Sequence, residues 1–434
     1  MERLVNNMLD RALQWLGCEP LQFLGDDRTR RDQRWIYAWL ILFTASGYLH
    51  YIYSVATIVM GGVLFCCLPT SRRLILARRS NYITFLFAAM ATAVSIVFGN
   101  LPGFGAACLF TFMFIIAFVA REFATRQLFE HIFTYTVLAS WFSVIAAGGE
   151  KLFFLYIGEP NHRCSGVSSN PNFYGIMAVL ALFLCVHRAF ETKLHKWFYY
   201  LSALVNGVGL YLCGSASLWL VAFGLVFFYF CFTGQKKLAW IFGIAAIVAI
   251  VAAFSIPSLM PRLQEKPWEG SGRFDIYRKA ISLLDRSPWV GTGFLSFRYW
   301  RFALGAEGFP VQTVTLCHNI TLDCLLSHGI VGTVLIESIF GTYIYQLFQV
   351  KKGMKRHRIA PYGLPLVAAT LIPITIYGMI DTTVLWTQSG MVILLLFATV
   401  GVDERAVRHA QSQPALVCDD TPTKPKPLVT NQSI

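Results

Sequence analysis

Charge is what this chain has least of. Only 14% of its 434 residues are Asp, Glu, Lys or Arg, while 56% are hydrophobic. The mean hydropathy of +0.56 agrees. An ordinary soluble domain carries roughly 25% charged residues, so that class is excluded. Acidic residues are the scarcer sign, 23 against 36 basic ones. Asp26-Asp27, Asp403-Glu404 and Asp419-Asp420 all fall on the side of the termini, and Glu265 with Glu269 reads as a solvated helix face. We therefore expect no catalytic metal and no cofactor. Eleven cysteines contain no Cys-x-x-C, so zinc and thioredoxin-like readings have no support. Cys66, Cys67, Cys108, Cys185, Cys213 and Cys231 lie in or beside apolar runs, where cysteine acts as a small hydrophobe. No internal repeat is visible, and Glu337 is the main ionisable residue within an apolar run. No cleavable signal is expected either: the first apolar run starts near Trp35, after a charged segment, and should stay as a helix.

Apolar runs are what the chain has in quantity. They fall near 35–49, 51–68, 82–99, 102–120, 128–147, 172–190, 197–213, 216–233, 238–256, 319–350, 363–380 and 386–402. The expected fold is an all-α polytopic membrane protein of about twelve spans, with a large helical loop between the ninth and tenth. It divides into an amphipathic segment over 1–34, spans over 35–256, a loop domain over 257–318, spans over 319–402 and a disordered tail over 403–434. Leu4, Val5, Leu9, Leu13 and Leu16 would lay the first segment on the membrane surface. Basic residues orient the bundle. Arg72, Arg73, Arg78, Arg121, Arg126, Arg188, Lys193, Lys236, Lys351, Lys355 and Arg358 all fall between spans on the side of the termini. That side is read as cytoplasmic. The net charge of +13 is thus a topology signal, and no nucleic-acid partner is expected.

The segment from Ser271 to Gly332 departs from this pattern. It lies on the opposite, outer side, yet is rich in arginine, which asks for an anionic partner. Phe274, Tyr277, Ile281 and Leu284 predict a helix over 271–287, capped by Ser271, paired through Asp275 and Lys279, and ended by Pro288. His318, Leu322, Leu325, Gly329, Gly332 and Ile336 share one face of the next helix. This would put His318 at the top of a tightly packed span.

Four stretches here resemble one family, the O-antigen ligase-like membrane glycosyltransferases. That family includes O-antigen ligases, polysaccharide polymerases and protein O-oligosaccharyltransferases. The stretches are Arg163-Cys164-Ser165-Gly166 with Asn170-Pro171-Asn172, Gly272-Arg273 with Ile276-Tyr277, Pro288-x-x-Gly291-x-Gly293, and His318-Asn319-x-x-Leu322 with Gly329-x-x-Gly332. Two departures stand out. Leu218 occupies a place where the family often has arginine, and Ser327 one where it often has an acid.

The resemblance implies a bacterial inner-membrane enzyme of cell-envelope synthesis. Its donor would be a glycan on a polyprenyl (undecaprenyl) diphosphate, its acceptor a hydroxyl of a glycan or lipid-linked glycan, and its surroundings membrane lipid. Arg163 and Arg273 would stabilise the leaving diphosphate, with Arg278 a weaker third. His318 would take the proton of the attacking hydroxyl or hydrogen-bond the diphosphate. Asn172 and Asn319 would hold the donor or orient His318, or serve only as helix caps. Tyr277 fills the family's aromatic place. Asp381 reads as an interface residue, with a second acid as the alternative. Cys164 and Cys317 adjoin Arg163 and His318, and a disulfide between them depends on Cα spacing. A twelve-helix secondary transporter and a lipid-linked glycan flippase are the competing readings. The unequal division of spans and the missing repeat count against a carrier.

The orientation is testable by labelling intact cells with an impermeant thiol reagent. A cysteine at position 273 should label and one at 355 should be protected; the reverse pattern would invert the topology.

Overall fold

The computed structural model describes residues 11–21, 23, 26–256, 272–305, 309, 316–382 and 386–412. Every regular element among them is helical. The elements are α1 (Asp27–Ala45), α2 (Tyr51–Cys67), α3 (Pro69–Ile75), α4 (Asn81–Val97), α5 (Leu101–Phe123), α6 (Arg126–Tyr156), α7 (Pro171–Glu191) and α8 (Lys196–Leu212). They continue as α9 (Ala216–Phe232), α10 (Lys236–Ser255), α11 (Arg273–Leu284), α12 (Ser296–Leu304), α13 (Ile320–His357), α14 (Gly363–Gly378), α15 (Thr387–Ala398) and α16 (Val400–Ser412).

Polar side chains set several starts. Asn100, Thr125, Asn170 and Asn319 each accept a backbone N–H of the first turn of α5, α6, α7 and α13. Pro102 and Pro171 sit where a missing N–H costs nothing. Among the described residues, four helices, α5, α6, α7 and α13, are long and apolar enough to cross a membrane, and the bent pair α2–α3 makes a fifth. Helices α4, α9 and α14 are apolar but have 16 or 17 residues. At about 1.5 Å per residue they rise only about 25 Å, less than a bilayer core. The chain is thus an all-helical protein with several apolar helices. Helix α7 is the central one, with Ile176, Val179, Leu180, Phe183 and Leu184 fully buried.

Several local expectations change. Residues 1–10 lie outside the described set, but Leu13 and Leu16 are buried and Tyr199 donates to the Leu16 carbonyl at 2.8 Å. Trp15 stacks on His195. This stretch packs on the end of the bundle, because its apolar face finds α8 there. The tail expected from 403 begins as helix instead. Asp403 accepts the N–H groups of Tyr362 and Leu364, and buried Glu404 pairs with Arg78 and Arg121. The rest of that tail, 413–434, is outside the described residues.

The expected loop domain contains α11 and α12, with 257–271, 306–308 and 310–315 outside the described set. Helix α11 starts from Gly272 without a side-chain cap and stops at Leu284, before Pro288. Asp275 pairs with Arg278 at 3.5 Å, while Lys279 stands over the Phe309 ring, so the Asp275–Lys279 pair does not form. Helix α6 runs on to Tyr156, which makes the following loop shorter than the apolar run suggests.

Helix α13 is broken. Gly329 has φ 60° and ψ −167°, so the face drawn from His318 to Ile336 does not exist as one stripe. Pro288 and Trp289 fill the break: their carbonyls accept from Ile330 and Val331 at 2.9 and 3.0 Å. Gly293 in turn donates to Ser327 at 2.8 Å. A Cβ on Gly329 would lie 2.3 Å from the Trp289 carbonyl carbon, and one on Gly291 would lie 2.3 Å from Ser327. The glycines of two motifs therefore allow two backbones to touch and satisfy each other. Asn100 ties the same loop to α5 by donating to the Thr292 and Phe294 carbonyls.

Gly329→Ala should destabilise the protein by at least about 1–3 kcal/mol, the usual cost of such a backbone conformation. Thermal unfolding of the purified protein measures it; an unchanged midpoint would contradict this account of the break.

Candidate functional site

The first site residue comes from the turn between α6 and α7. Glu150, on the extended part of α6, accepts the N–H groups of Ser165 and Gly166 at 2.9 and 2.7 Å. It also meets the Ser165 hydroxyl at 3.1 Å and His162 Nε2 at 3.0 Å. Lys151 donates to the His162 carbonyl. The turn is thereby fixed to the helix, and Arg163 projects from it. Arg163 Nε donates to the Cys213 carbonyl at 2.8 Å, and Nη2 donates to Asn172 Oδ1 at 2.7 Å. Its stem lies against Gly214.

The second comes from the loop segment and the start of α13. Arg273 is the first residue of α11, and its Nη2 lies 3.6 Å from Asp381 Oδ2. His318 precedes α13 with φ 52°, a left-handed conformation that costs a non-glycine residue about 1–3 kcal/mol. The surroundings hold it there. Tyr277 donates its hydroxyl to the His318 carbonyl at 3.1 Å. Asn319 caps α13 through Leu322 N–H and donates to the Met379 carbonyl at 2.9 Å. Burial pushes the Tyr277 phenol above its ordinary value, so it remains a neutral donor.

Asp381 joins the two halves. It follows α14, is only 1% exposed, and its N–H donates to the Tyr377 carbonyl. Its Oδ2 accepts from Asn172 Nδ2 at 3.0 Å and faces Arg273; its Oδ1 lies 3.4 Å from His318 Nδ1. A continuous chain of contacts therefore runs from Arg163 through Asn172 and Asp381 to Arg273 and His318. Arg273 beside the buried carboxylate, and Arg163 joined to it through Asn172, are two guanidinium groups of the kind that suits anion binding. A histidine with a carboxylate beside one ring nitrogen suits proton transfer at the other.

Of the residues singled out from sequence, Arg163, Asn172, Arg273, Tyr277, His318 and Asn319 are brought together. Arg278 is not: its side chain is 83% exposed and pairs with Asp275. Asp381, read as an interface residue, is instead the hub. The available signal was its isolation, since it is the only charged residue between Arg358 and Asp403. Glu150 went unnoticed because a glutamate near a loop carries no motif. Leu218 is fully buried against Gly175. Cys164 and Cys317 are both buried free thiols, so no bridge joins them.

A bundle of apolar helices of this kind is the architecture of an integral membrane protein. The family model described as O-antigen ligase matches residues 201–336, roughly a third of the chain. The match supports an O-antigen ligase-like family and takes in Arg273, Tyr277, His318, Asn319 and both glycine motifs. Arg163, Asn172 and Asp381 lie outside the matched stretch and enter through the fold. No curated protein matches the chain.

Asp381→Ala should lose about 1.5–3 kcal/mol of stability, the scale of a hydrogen bond to a charged group, because Asn172, Arg273 and His318 lose a common partner. Asp381→Asn should recover part of the stability but not the function. Paired unfolding and activity measurements check this, and an Asp381→Ala protein of unaltered stability would refute the hub.

Proposed function

We propose that the chain transfers a glycan from a polyprenyl-diphosphate carrier to a hydroxyl acceptor at the outer face of the membrane. It would act as a ligase or polymerase of surface polysaccharide. The observation that carries the reading is the link from Arg163 through Asn172 and Asp381 to Arg273 and His318. The O-antigen ligase match over 201–336 supports the class of reaction.

In this reading the acceptor oxygen attacks the anomeric carbon. The new C–O bond forms as the bond from that carbon to the phosphate oxygen breaks. The electron pair leaves with the lipid diphosphate, and its growing negative charge meets the guanidinium groups of Arg163 and Arg273. The acceptor's proton goes to His318. Asp381 beside Nδ1 orients the ring, leaves Nε2 for the acceptor, and balances the imidazolium that forms. The same carboxylate holds Arg273, and through Asn172 also Arg163, in place before the donor arrives. Little reorganisation is then needed during the reaction, which is why fixed charges stabilise a transition state well.

Arg273→Ala should lower turnover of a polyprenyl-diphosphate-linked glycan by roughly 10²–10³-fold. Lysine should rescue it only in part, because it lacks the planar fork. His318→Ala should be inactive though folded; His318→Gln stays inactive if the imidazole takes a proton and keeps some turnover if it only hydrogen-bonds. Wild-type transfer by Arg163→Ala would sink the proposal. So would movement of the lipid-linked glycan without a new glycosidic bond, which is the signature of a carrier or flippase.

A further inference from the structure

The turn that carries Arg163 converges on one carboxylate. Glu150 Oε2 accepts the N–H groups of Ser165 and Gly166, while Oε1 meets the Ser165 hydroxyl and His162 Nε2. Two of these donors are successive backbone N–H groups. They point at one oxygen because Gly166 has φ 55°, a left-handed conformation that suits glycine. A Cβ there would also stand 3.1 Å from the Ser143 carbonyl oxygen. The serine and glycine of the Arg-Cys-Ser-Gly stretch thus serve the carboxylate, and the arginine is what they carry.

Neighbouring residues of α6 add to the hold. Lys151 donates to the Pro160 and His162 carbonyls, and the Phe154 ring stacks on that of His162. From the other side, Cys164 N–H donates to the Leu212 carbonyl at 3.0 Å. The turn is therefore braced between the last turns of α6 and the end of α8. Arg163 sits between the two braces, and its planar guanidinium makes both of its bonds, to the Cys213 carbonyl and to Asn172, from there.

Four donors occupy the roughly four lone-pair sites that a carboxylate offers. None is left for a metal ion or a substrate hydroxyl, so Glu150 does not act on substrate directly. We propose that Glu150 is a positioning residue: by holding the turn, it sets where the Arg163 guanidinium meets the phosphate of a lipid diphosphate. This deepens the proposed function and rests on it for the identity of that anion. A displacement of about 1 Å in such a group costs on the order of 10²-fold in rate. Glutamine is the informative replacement. It keeps the size of the side chain but turns one acceptor oxygen into an NH₂ donor, which would face donors wherever it pointed.

The test uses the full-length protein in lipid nanodiscs, with farnesyl diphosphate as the anion probe, read by calorimetric titration. Turnover of a polyprenyl-diphosphate-linked glycan is measured in parallel. Glu150→Gln should raise the Kd of farnesyl diphosphate about tenfold, the scale of one charge-assisted hydrogen bond. It should lower kcat by about 10–100-fold and speed hydrogen exchange of the Ser165 and Gly166 amides. In an Arg163→Ala background the same substitution should change Kd and residual kcat by less than about twofold, because the group it positions is gone. A merely structural glutamate would give equal losses in both backgrounds. Such additivity would overturn the proposal, as would wild-type affinity and turnover in Glu150→Gln. If that variant fails to fold, Ser165→Ala takes its place, since it removes only the hydroxyl contact at 3.1 Å. It should weaken binding and lower kcat by about two- to tenfold, and only when Arg163 is present; no change would overturn the proposal. Diphosphate binding that depends on Glu150 in a protein that transfers no glycan would instead remove the enzymatic reading and leave the positioning role standing.

Discussion

A carboxylate that is 1% exposed has to be surrounded by positive charge and hydrogen-bond donors, and Asp381 is the point where this requirement shapes the molecule. Its partners come from three distant parts of the chain: Asn172 at the start of α7, Arg273 at the start of α11, and His318 just before α13. Helices α11 and α13 also pack through Ile276, Leu283 and Leu326, and the carboxylate adds the start of α7 to that pair. The buried charge couples them, so the ends of three helices act as one object. The strain at His318 belongs to the same arrangement, since its left-handed backbone is tolerated where Tyr277, Asn319 and Asp381 all hold it.

The opposite end of the bundle uses the same device. Glu404, itself buried, gathers Arg78 and Arg121, and Arg405 donates to the carbonyls of Arg121 and Glu122 at the end of α5. Glu404 also takes two arginines there, and Arg405 satisfies carbonyls that a helix end leaves open. Around Asp381 the second guanidinium is held indirectly: Arg273 faces the carboxylate, while Arg163 reaches it through Asn172.

The helical class and most helix positions were legible because apolar runs and capping asparagines are local signals. Arg163, Arg273 and His318 were legible because each sits in a short motif. What could not be read is non-local. Nothing around residue 329 says that a loop some forty residues earlier will replace its helical hydrogen bonds, although the glycines of both motifs were visible. Asp381 shows the same limit. An isolated acid near a helix end is equally compatible with solvent, and only the meeting of α7, α11, α13 and α14 decides between the two. The N-terminal stretch shows it too: Leu13 and Leu16 are buried against the bundle, and a local pattern does not name the surface that it covers.

Leu218 connects these scales. Its position relative to the family pattern suggests a missing cation, yet its surroundings leave no place for one. Its Cδ1 lies 2.4 Å from where a Cβ on Gly175 would stand, and it is fully buried beside Cys213. The Cys213 carbonyl accepts from Arg163 at 2.8 Å, and Arg163 in turn reaches Asn172 on the helix that carries Gly175. A small residue on α7 and an apolar one on α9 therefore let the turn before α9 approach closely enough to hold Arg163 by its Nε. Fixing one guanidinium in this way directs its remaining donors toward Asn172 and the carboxylate beyond. The arrangement puts one well-oriented guanidinium where the family pattern suggests a second local charge, and in the proposed reaction the leaving diphosphate is then met by Arg163 and Arg273.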